Sequence, residues 1–180
     1  MASVETPRPA TDLAAAPPVA FPASGPVTIR SATVDEAAAI FGLVAANLEE
    51  GHLLPRTLDD LVAHARRFLV LADEAGDVVG CGELAPLSAA VAEIRSLVVD
   101  ARLRGIGLGS RLVTALKHRA RLDGHRTLCA FTHQPTSFVR QDFSIVPHQW
   151  LPEKIATDCH ACPLFRRCGQ YAMAFPVDRR

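Results

Sequence analysis

The segment from Glu93 to Leu122 constrains the fold of this chain more than any other. It begins with an apolar, β-branched run and crosses a turn that contains Gly105, Gly107 and Gly109. It then continues as an amphipathic stretch whose apolar residues recur at helical spacing, namely Leu112, Val113, Leu116 and Ala120. The segment is therefore predicted to fold as a strand, a glycine loop and a helix.

This order of elements has a chemical use. Amides at the start of a helix have no intrahelical partner and lie at the positive end of the helix dipole, so a glycine loop there can bind a phosphate. Glycine also lets the main chain approach a ligand closely. Because Arg102, Arg104 and Arg111 add positive charge around the loop, we interpret it as an anion site.

Length and composition favour one domain with a sizeable core, since the chain has 180 residues and 49% hydrophobic residues. Its formal net charge of zero gives no reason to expect nucleic acid or an anionic membrane as a partner. No apolar run approaches the roughly 18 residues of a membrane span.

Residues 1–26 are rich in Ala and Pro and lack the pattern of a signal peptide, so we expect a disordered tail there and a single domain at 27–180. Five cysteines without an export signal indicate reduced thiols and a cytoplasmic protein.

Periodicity and capping signals predict an α+β fold with a mixed, mostly antiparallel central sheet flanked by helices. In the strand at 91–99, a period of two places Glu93, Arg95, Leu97 and Val99 on one face. Thr33 with Glu36, and Thr57 with Asp60, form helix-start signals. The other predicted strands lie at 27–30, 68–74, 78–84, 127–131, 143–146 and 171–175. Besides the helix that follows the glycine loop, helices are predicted to begin near 33, 57, 135 and 152.

The glycine loop resembles the Arg/Gln-x-x-Gly-x-Gly pyrophosphate loop of the GNAT acetyltransferases, with matches at Arg104, Gly107 and Gly109. The resemblance implies the GNAT fold and acetyl-CoA as co-substrate. It implies that the strand carrying Glu93 splays from its neighbour, and that backbone groups of Leu97, Val98 and Val99 bind the pantetheine arm. The loop residues it assigns to coenzyme binding are Arg104, Gly105, Ile106, Gly107, Leu108, Gly109 and Ser110.

Acetyl transfer to an amine requires that the amine lose a proton, and many GNAT enzymes carry a glutamate base where Glu93 stands. Glu93 can act directly or through a water, and the alternative is a salt-bridged or solvent-facing glutamate. Many members protonate the departing thiolate with a tyrosine, but Phe138 stands at that position and Asp142 replaces the usual glycine nearby. We therefore expect the thiolate to take its proton from water.

Three segments look like the bacterial N-acetylglutamate synthase group of GNAT proteins: 51–56, 92–97, and 151–154 followed by 158–163. This resemblance implies acetylation of L-glutamate, the first step of arginine biosynthesis, by direct transfer in a ternary complex. A dicarboxylic acceptor needs two cationic groups, and arginine binds carboxylates in a bidentate way. By resemblance, Arg56 and the backbone of Leu54 line the acceptor pocket, with Arg95 beside the base; Lys154 and Arg167 are further candidates.

Three alternatives stay open at this stage. Each arginine could be an ordinary solvated surface charge. The enzyme could acetylate another small amine or amino acid, or the chain could be a weakly catalytic CoA-binding regulatory module. GNAT proteins often form homodimers, but the sequence does not decide the oligomeric state.

The C-terminal cysteines Cys159, Cys162 and Cys168 have partial metal-ligand spacing, with His160 and His148 nearby. A Cys-x-x-Cys pair with a third thiolate and one histidine could hold a structural Zn²⁺. The alternatives are three unligated thiols, or an iron–sulfur or redox role.

Overall fold

The computed structural model describes residues 19–21, 24–48, 53 and 55–177. These residues form eight strands and five α-helices, and no described helix has the length and apolar character of a membrane span. The strands are β1 (Val19–Phe21), β2 (Ser24–Ser31), β3 (Phe68–Ala72), β4 (Val78–Pro86), β5 (Val91–Val99), β6 (Thr127–Thr132), β7 (Ser144–Val146) and β8 (Tyr171–Pro176). The α-helices are α1 (Ala37–Ala45), α2 (Leu58–His64), α3 (Leu108–Leu122), α4 (Thr136–Val139) and α5 (Pro152–Thr157).

The strands form one sheet in the order β1-β2-β3-β4-β5-β6-β8-β7. All neighbours pair antiparallel except β5 and β6, which are parallel because α3 forms the crossover between them. This sheet, flanked by helices, confirms the predicted α+β class. The sequence analysis placed the start of the domain at residue 27, but β1 and the first residues of β2 lie before it, and the two strands pair. Val and Phe have high strand propensity, and the Ala- and Pro-rich segment contains both in β1, as Val19 and Phe21.

Two helix-start signals fold as predicted. A 3-10 turn at Val34–Glu36 leads into α1, where the Thr33 amide donates to Glu36 Oε2 at 2.8 Å and completes a capping box. The hydrogen bond from Arg30, at 2.6 Å, lowers the pKa of Glu36 to about 2 despite partial burial, and the bond from the Thr33 amide adds to this effect. At α2, Thr57 accepts a hydrogen bond from the Asp60 amide at 3.1 Å.

The core has one layer on each face of the sheet. Under α3, the predicted helix stripe is fully buried against residues of the strands, and the close fit is visible at Gly82, where an added Cβ would lie 2.9 Å from Leu116 Cδ1. On the opposite face, α1 and α2 pack on the sheet through Ile40, Val44 and Leu61. Each of these short helices packs through a narrow stripe, so three of their large apolar residues stay exposed, namely Phe41, Leu58 and Val62.

A bulge divides β5 into two halves. Cys81 of β4 lies opposite Val98 and Glu83 lies opposite Arg95, so β5 contains one extra residue between these pairs. Ser96 lies within this bulge and has a φ of 46°, which is uncommon for a residue with a side chain.

The bulge reverses the alternation of side chains along β5. Glu93 and Arg95 share a face, as predicted, but Leu97 and Val99 pack with Ile94 in the core under α3. Val98 instead packs in the core under α1 and α2. The prediction of one continuous face from Glu93 to Val99 is therefore wrong beyond Ser96.

Candidate active site

A cleft of about 460 Å³ opens where β5 and β6 diverge. The two strands pair from Val91 and Thr127 to Ile94 and Ala130, whereas β5 continues past this last pair to Val99. The volume lies in the range of small-molecule sites. The cleft is lined by the second half of β5, the segment before α2, residues 131–138 and the inner side of α5.

Glu93 lies in the wall of this cleft with only 4% of its side chain exposed. Arg95 Nε donates to Glu93 Oε2 at 2.5 Å, and Lys154 Nζ lies 2.8 Å from Oε1 and 2.9 Å from Oε2. Both carboxylate oxygens are therefore engaged by cations. The structure shows the salt-bridged glutamate that the sequence left open, while the role of Glu93 as a base stays a prediction.

Asp158 completes a cluster of four charges with Glu93, Arg95 and Lys154. Its Oδ2 accepts from Lys154 Nζ at 2.9 Å and from Arg95 Nη2. Burial lowers the pKa of Arg95, but the negative charges of Glu93 and Asp158 outweigh burial and hold this pKa above its ordinary value. Arg95 therefore remains a cation in the cleft.

Arg56 lies at the centre of a second charge network across the bulge. Its guanidinium binds Asp60 at 2.5 Å and Glu83 at 2.7 Å, and it donates to Ser96 Oγ at 3.3 Å. Burial lowers the pKa of Arg56, but its bonds to Glu83 and Asp60 raise it above the ordinary value. The sequence reasoning missed Glu83, although a lone charge in the apolar strand β4 signals a buried partner.

The glycine loop lies beside the cleft at the N-terminus of α3. Gly107 is the N-cap residue with a φ of 88°, and Gly105 has a φ of 80°. A Cβ added at either glycine would meet no atom within 4 Å, so the outer surface of the loop is open. Arg104, which lines the cleft, donates to the Val99 carbonyl at 3.1 Å and to the Asn47 side chain. The open surface and the first-turn amides of α3 fit an anion, and coenzyme binding by residues 104–110 stays a prediction.

The remaining residues that the sequence analysis singled out lie at different places relative to the cleft. Leu54 lies outside the described residues. Arg167 belongs to an exposed 3-10 helix and is not one of the described residues that line the cleft. Phe138 does line the cleft. The chain's single tyrosine, Tyr171, begins β8 and is not one of the described lining residues, whereas Gln170, directly before β8, is.

The structure does not support the predicted zinc site. Cys159 begins a 3-10 helix, Cys162 follows it, and Cys168 follows the next one. Within the part of the chain that the structure describes, no group of three His, Cys, Asp or Glu residues could hold a metal ion. Burial also raises the pKa of the Cys159 thiol, which opposes the thiolate form that zinc requires.

A family model described as "Acetyltransferase (GNAT) family" matches residues 35–142, more than half of the chain. The chain belongs to the GNAT acetyltransferase family. The resemblance noted in the glycine loop is thereby confirmed, and the chain is an acyltransferase. The matched segment includes β5 and the glycine loop, whereas Lys154, Asp158 and the C-terminal cysteines lie beyond it.

Among GNAT relatives, an uncharacterized N-acetyltransferase of Chlorobaculum tepidum is 32% identical over 145 residues, which cover 81% of this chain and 93% of the relative. An amino-acid acetyltransferase of Vibrio cholerae is 32% identical over 126 residues, covering 69% of this chain but only 28% of that larger protein. The solved N-acetylglutamate synthase of Neisseria gonorrhoeae, complexed with coenzyme A and N-acetyl-glutamate, has a TM-score of 0.74 and 25% identity, covering 85% of this chain and 35% of the synthase.

Proposed function

We propose that this GNAT protein transfers the acetyl group of acetyl-CoA to the α-amine of L-glutamate, the first step of arginine biosynthesis. The observation that carries the proposal is the placement of two arginines, Arg56 and Arg95, in one cleft with the buried carboxylate of Glu93. Two cations suit an acceptor with two carboxylates. The names of the Vibrio cholerae relative and of the gonococcal synthase support the same acceptor class.

The coenzyme side of the site uses main-chain groups. Acetyl-CoA supplies the activated thioester. The first-turn amides of α3 and the loop at 104–110 would bind its diphosphate. Leu97 and Val98 lie on β5 beyond the last residue pair with β6, Ile94 and Ala130. On the side facing β6, their backbone groups would therefore bind the pantetheine arm. Both the loop and this half of β5 flank the same cleft, because Arg104 and Leu97 line it together.

The acceptor side uses the charged side chains. Arg56 and Arg95 would bind the carboxylates of the acceptor, and Glu93 would accept the proton that the amine must lose, directly or through a water. Lys154 and Arg95 hold Glu93 in place through both of its oxygens. Because Phe138 carries no phenol, the thiolate would take its proton from water. Transfer would be direct, in a ternary complex.

The decisive experiment follows thiol release with acetyl-CoA and each common amino acid in turn. Saturable turnover of glutamate alone supports the proposal. Turnover of many amines instead indicates an acetyltransferase for another small amine. Tight CoA binding without turnover of any amine indicates a CoA-binding regulatory module, a reading that the doubly ion-paired Glu93 favours.

Variants test the assigned roles within the same assay. Arg56→Ala and Arg95→Ala should each raise the KM for glutamate by roughly tenfold to a hundredfold, since a hydrogen-bonded charge contributes about 1.5–3 kcal/mol. Arg66→Ala is the matched control, because Arg66 is exposed and is not one of the described residues that line the cleft. If the arginine variants change CoA affinity instead of the glutamate KM, the acceptor pocket is assigned wrongly. Glu93→Gln should lower kcat, and an unchanged rate at every pH would contradict the base role.

A further inference from the structure

The two arginines of the cleft are held in the same way. Each binds one buried carboxylate and one carboxylate that is about one-third exposed. Arg56 binds Glu83, which is 1% exposed, and Asp60, which is 37% exposed. Arg95 binds Glu93, which is 4% exposed, and Asp158, which is 35% exposed. The buried carboxylates are fixed in the protein interior, whereas the aspartates occupy the side of each arginine that solutes can reach.

Asp158 binds two cations of the cleft at once. Arg95 Nη2 and Lys154 Nζ, which come from β5 and α5, both donate to Asp158 Oδ2. The same two cations hold Glu93, so the cluster contains two positive and two negative groups. All four side chains line the cleft. A carboxylate placed at Oδ2 of Asp158 would find two cations that are already oriented.

Helix stability does not explain the position of Asp158. It directly follows Thr157, the last residue of α5, and its amide donates to the Lys154 carbonyl at 3.0 Å. Negative charge at the C-terminal end of a helix is unfavourable, although the effect is small for so short a helix. The contacts with Arg95 and Lys154 are therefore what stabilises this carboxylate at the mouth of the cleft.

We propose that Asp158 occupies the binding position of an acceptor carboxylate, which displaces it from Arg95 and Lys154. The inference deepens the proposed function and rests on an acceptor that carries a carboxylate. In the free protein, Asp158 neutralises the two cations and keeps them oriented. When the acceptor binds, its carboxylate takes over both contacts and Asp158 turns to solvent, while Glu93 keeps its bonds to the same cations.

An internal competitor of this kind weakens binding, because only the fraction of molecules with Asp158 displaced can accept the ligand. Asp158→Asn removes the competing charge at nearly constant size. Partly exposed ion pairs contribute up to about 1 kcal/mol, which corresponds to roughly a fivefold change in affinity. Asp158→Asn should therefore bind a dicarboxylate roughly fivefold more tightly than the unchanged chain.

The experiment is calorimetric titration of the CoA-loaded full chain with glutarate, a dicarboxylate without an amine, and with glutaramide, its neutral analogue. Asp158→Asn should lower the glutarate Kd roughly fivefold and leave glutaramide binding unchanged. Asp158→Glu, which retains a competing carboxylate, should stay within twofold of the unchanged chain. Glu153→Gln is the matched control, because it removes the same charge from α5 itself, close in sequence to Asp158 but at a residue outside the described lining of the cleft.

An unchanged or higher glutarate Kd in Asp158→Asn, with an unchanged melting temperature, would overturn the proposal. An equal effect of Glu153→Gln would also overturn it, since that result would indicate general electrostatic attraction. If Asp158→Asn lowers the melting temperature by more than a few degrees, Asp158→Ser provides the second neutral variant and must show the same tightening. Glutarate binding requires no turnover, so a chain that fails to acetylate glutamate can still pass or fail this test.

Discussion

Lys154 is predicted to contribute more to the free energy of unfolding than any exposed charged side chain, because it bridges two carboxylates inside the cleft. Its ammonium lies 2.8 Å from Glu93 Oε1 and 2.9 Å from Asp158 Oδ2, with 10% of the side chain exposed. At an effective dielectric constant of about 20, the attraction to Glu93 alone is roughly 6 kcal/mol before desolvation. Desolvation offsets much of that gain, so the relevant quantity is the cost of removing one partner.

Lys154→Met replaces the ammonium by an apolar group of similar length and leaves Glu93 buried with Arg95 as its remaining cation. Removing one partner of a buried ion pair costs about 3–5 kcal/mol, and the remaining arginine places this case at the lower end, about 3 kcal/mol. For a chain of this length, that change corresponds to a melting temperature lower by about 6–12 °C. Urea unfolding of the purified protein at pH 7 measures it directly.

A double-mutant cycle with Glu93→Gln isolates the contact. We expect a coupling free energy of about 2 kcal/mol, so that the double variant is more stable than the sum of the single changes predicts. Glu36→Gln is the control partner, because Glu36 binds Arg30 and Thr33 instead, and its effect should add to that of Lys154→Met within about 0.5 kcal/mol. Additive behaviour of Lys154 and Glu93 would refute the reasoning.

Three further predictions follow from other parts of the molecule. Gly107→Ala should lower stability by about 1 kcal/mol, because its φ is 88°, and should weaken CoA binding roughly tenfold in calorimetry, since the new Cβ faces the open side of the loop. Gly82→Ala should cost about 1–3 kcal/mol in urea unfolding, because the added Cβ would lie 2.9 Å from Leu116 Cδ1. Glu36→Gln should cost about 1 kcal/mol at pH 7, after allowance for solvent screening of its partly exposed partner Arg30. Because the folded pKa of Glu36 is lowered from 4.5 to about 2, this difference in stability should be fully present above pH 4.5 and shrink as the pH falls toward 2. Equal stabilities of Glu36→Gln and the unchanged chain at pH 7 would contradict the capping role. Unchanged stability of either glycine variant, or unchanged CoA binding by Gly107→Ala, would contradict the corresponding glycine prediction.

Local signals in the sequence predicted much of the fold. The capping box at Thr33 and Glu36 depends on residues three positions apart, and the apolar stripe of α3 depends on helical spacing alone. The strand–loop–helix order of the central segment also follows from such local patterns. For these elements, neighbouring residues contain the necessary information.

The bulge at Ser96 could not be predicted in the same way. Its positive φ belongs to a residue that usually avoids this conformation, and it arises from the pairing of β5 with β4 rather than from the residues around it. Because the bulge reverses the alternation, Leu97 lies on the opposite side from Arg95, which no period of two predicts. A single extra residue in a paired strand is a tertiary feature.

The charge clusters show the same limit. Arg56 and Arg95 could be selected from the sequence, but their partners Glu83 and Asp158 lie 27 and 63 residues away. Pairing over such separations depends on the completed sheet and on the position of α5. Glu83 nevertheless carried a usable signal, since a charge in an apolar strand requires a buried partner.

The most direct test of the account is a crystal structure of the chain with acetyl-CoA bound. We expect the diphosphate oxygens to accept hydrogen bonds from the amides at Gly107–Ser110, and the thioester to lie in the cleft beside Leu97 and Val98, facing Glu93. Coenzyme bound elsewhere on the molecule, or a glycine loop whose amides point away from the diphosphate, would contradict the account.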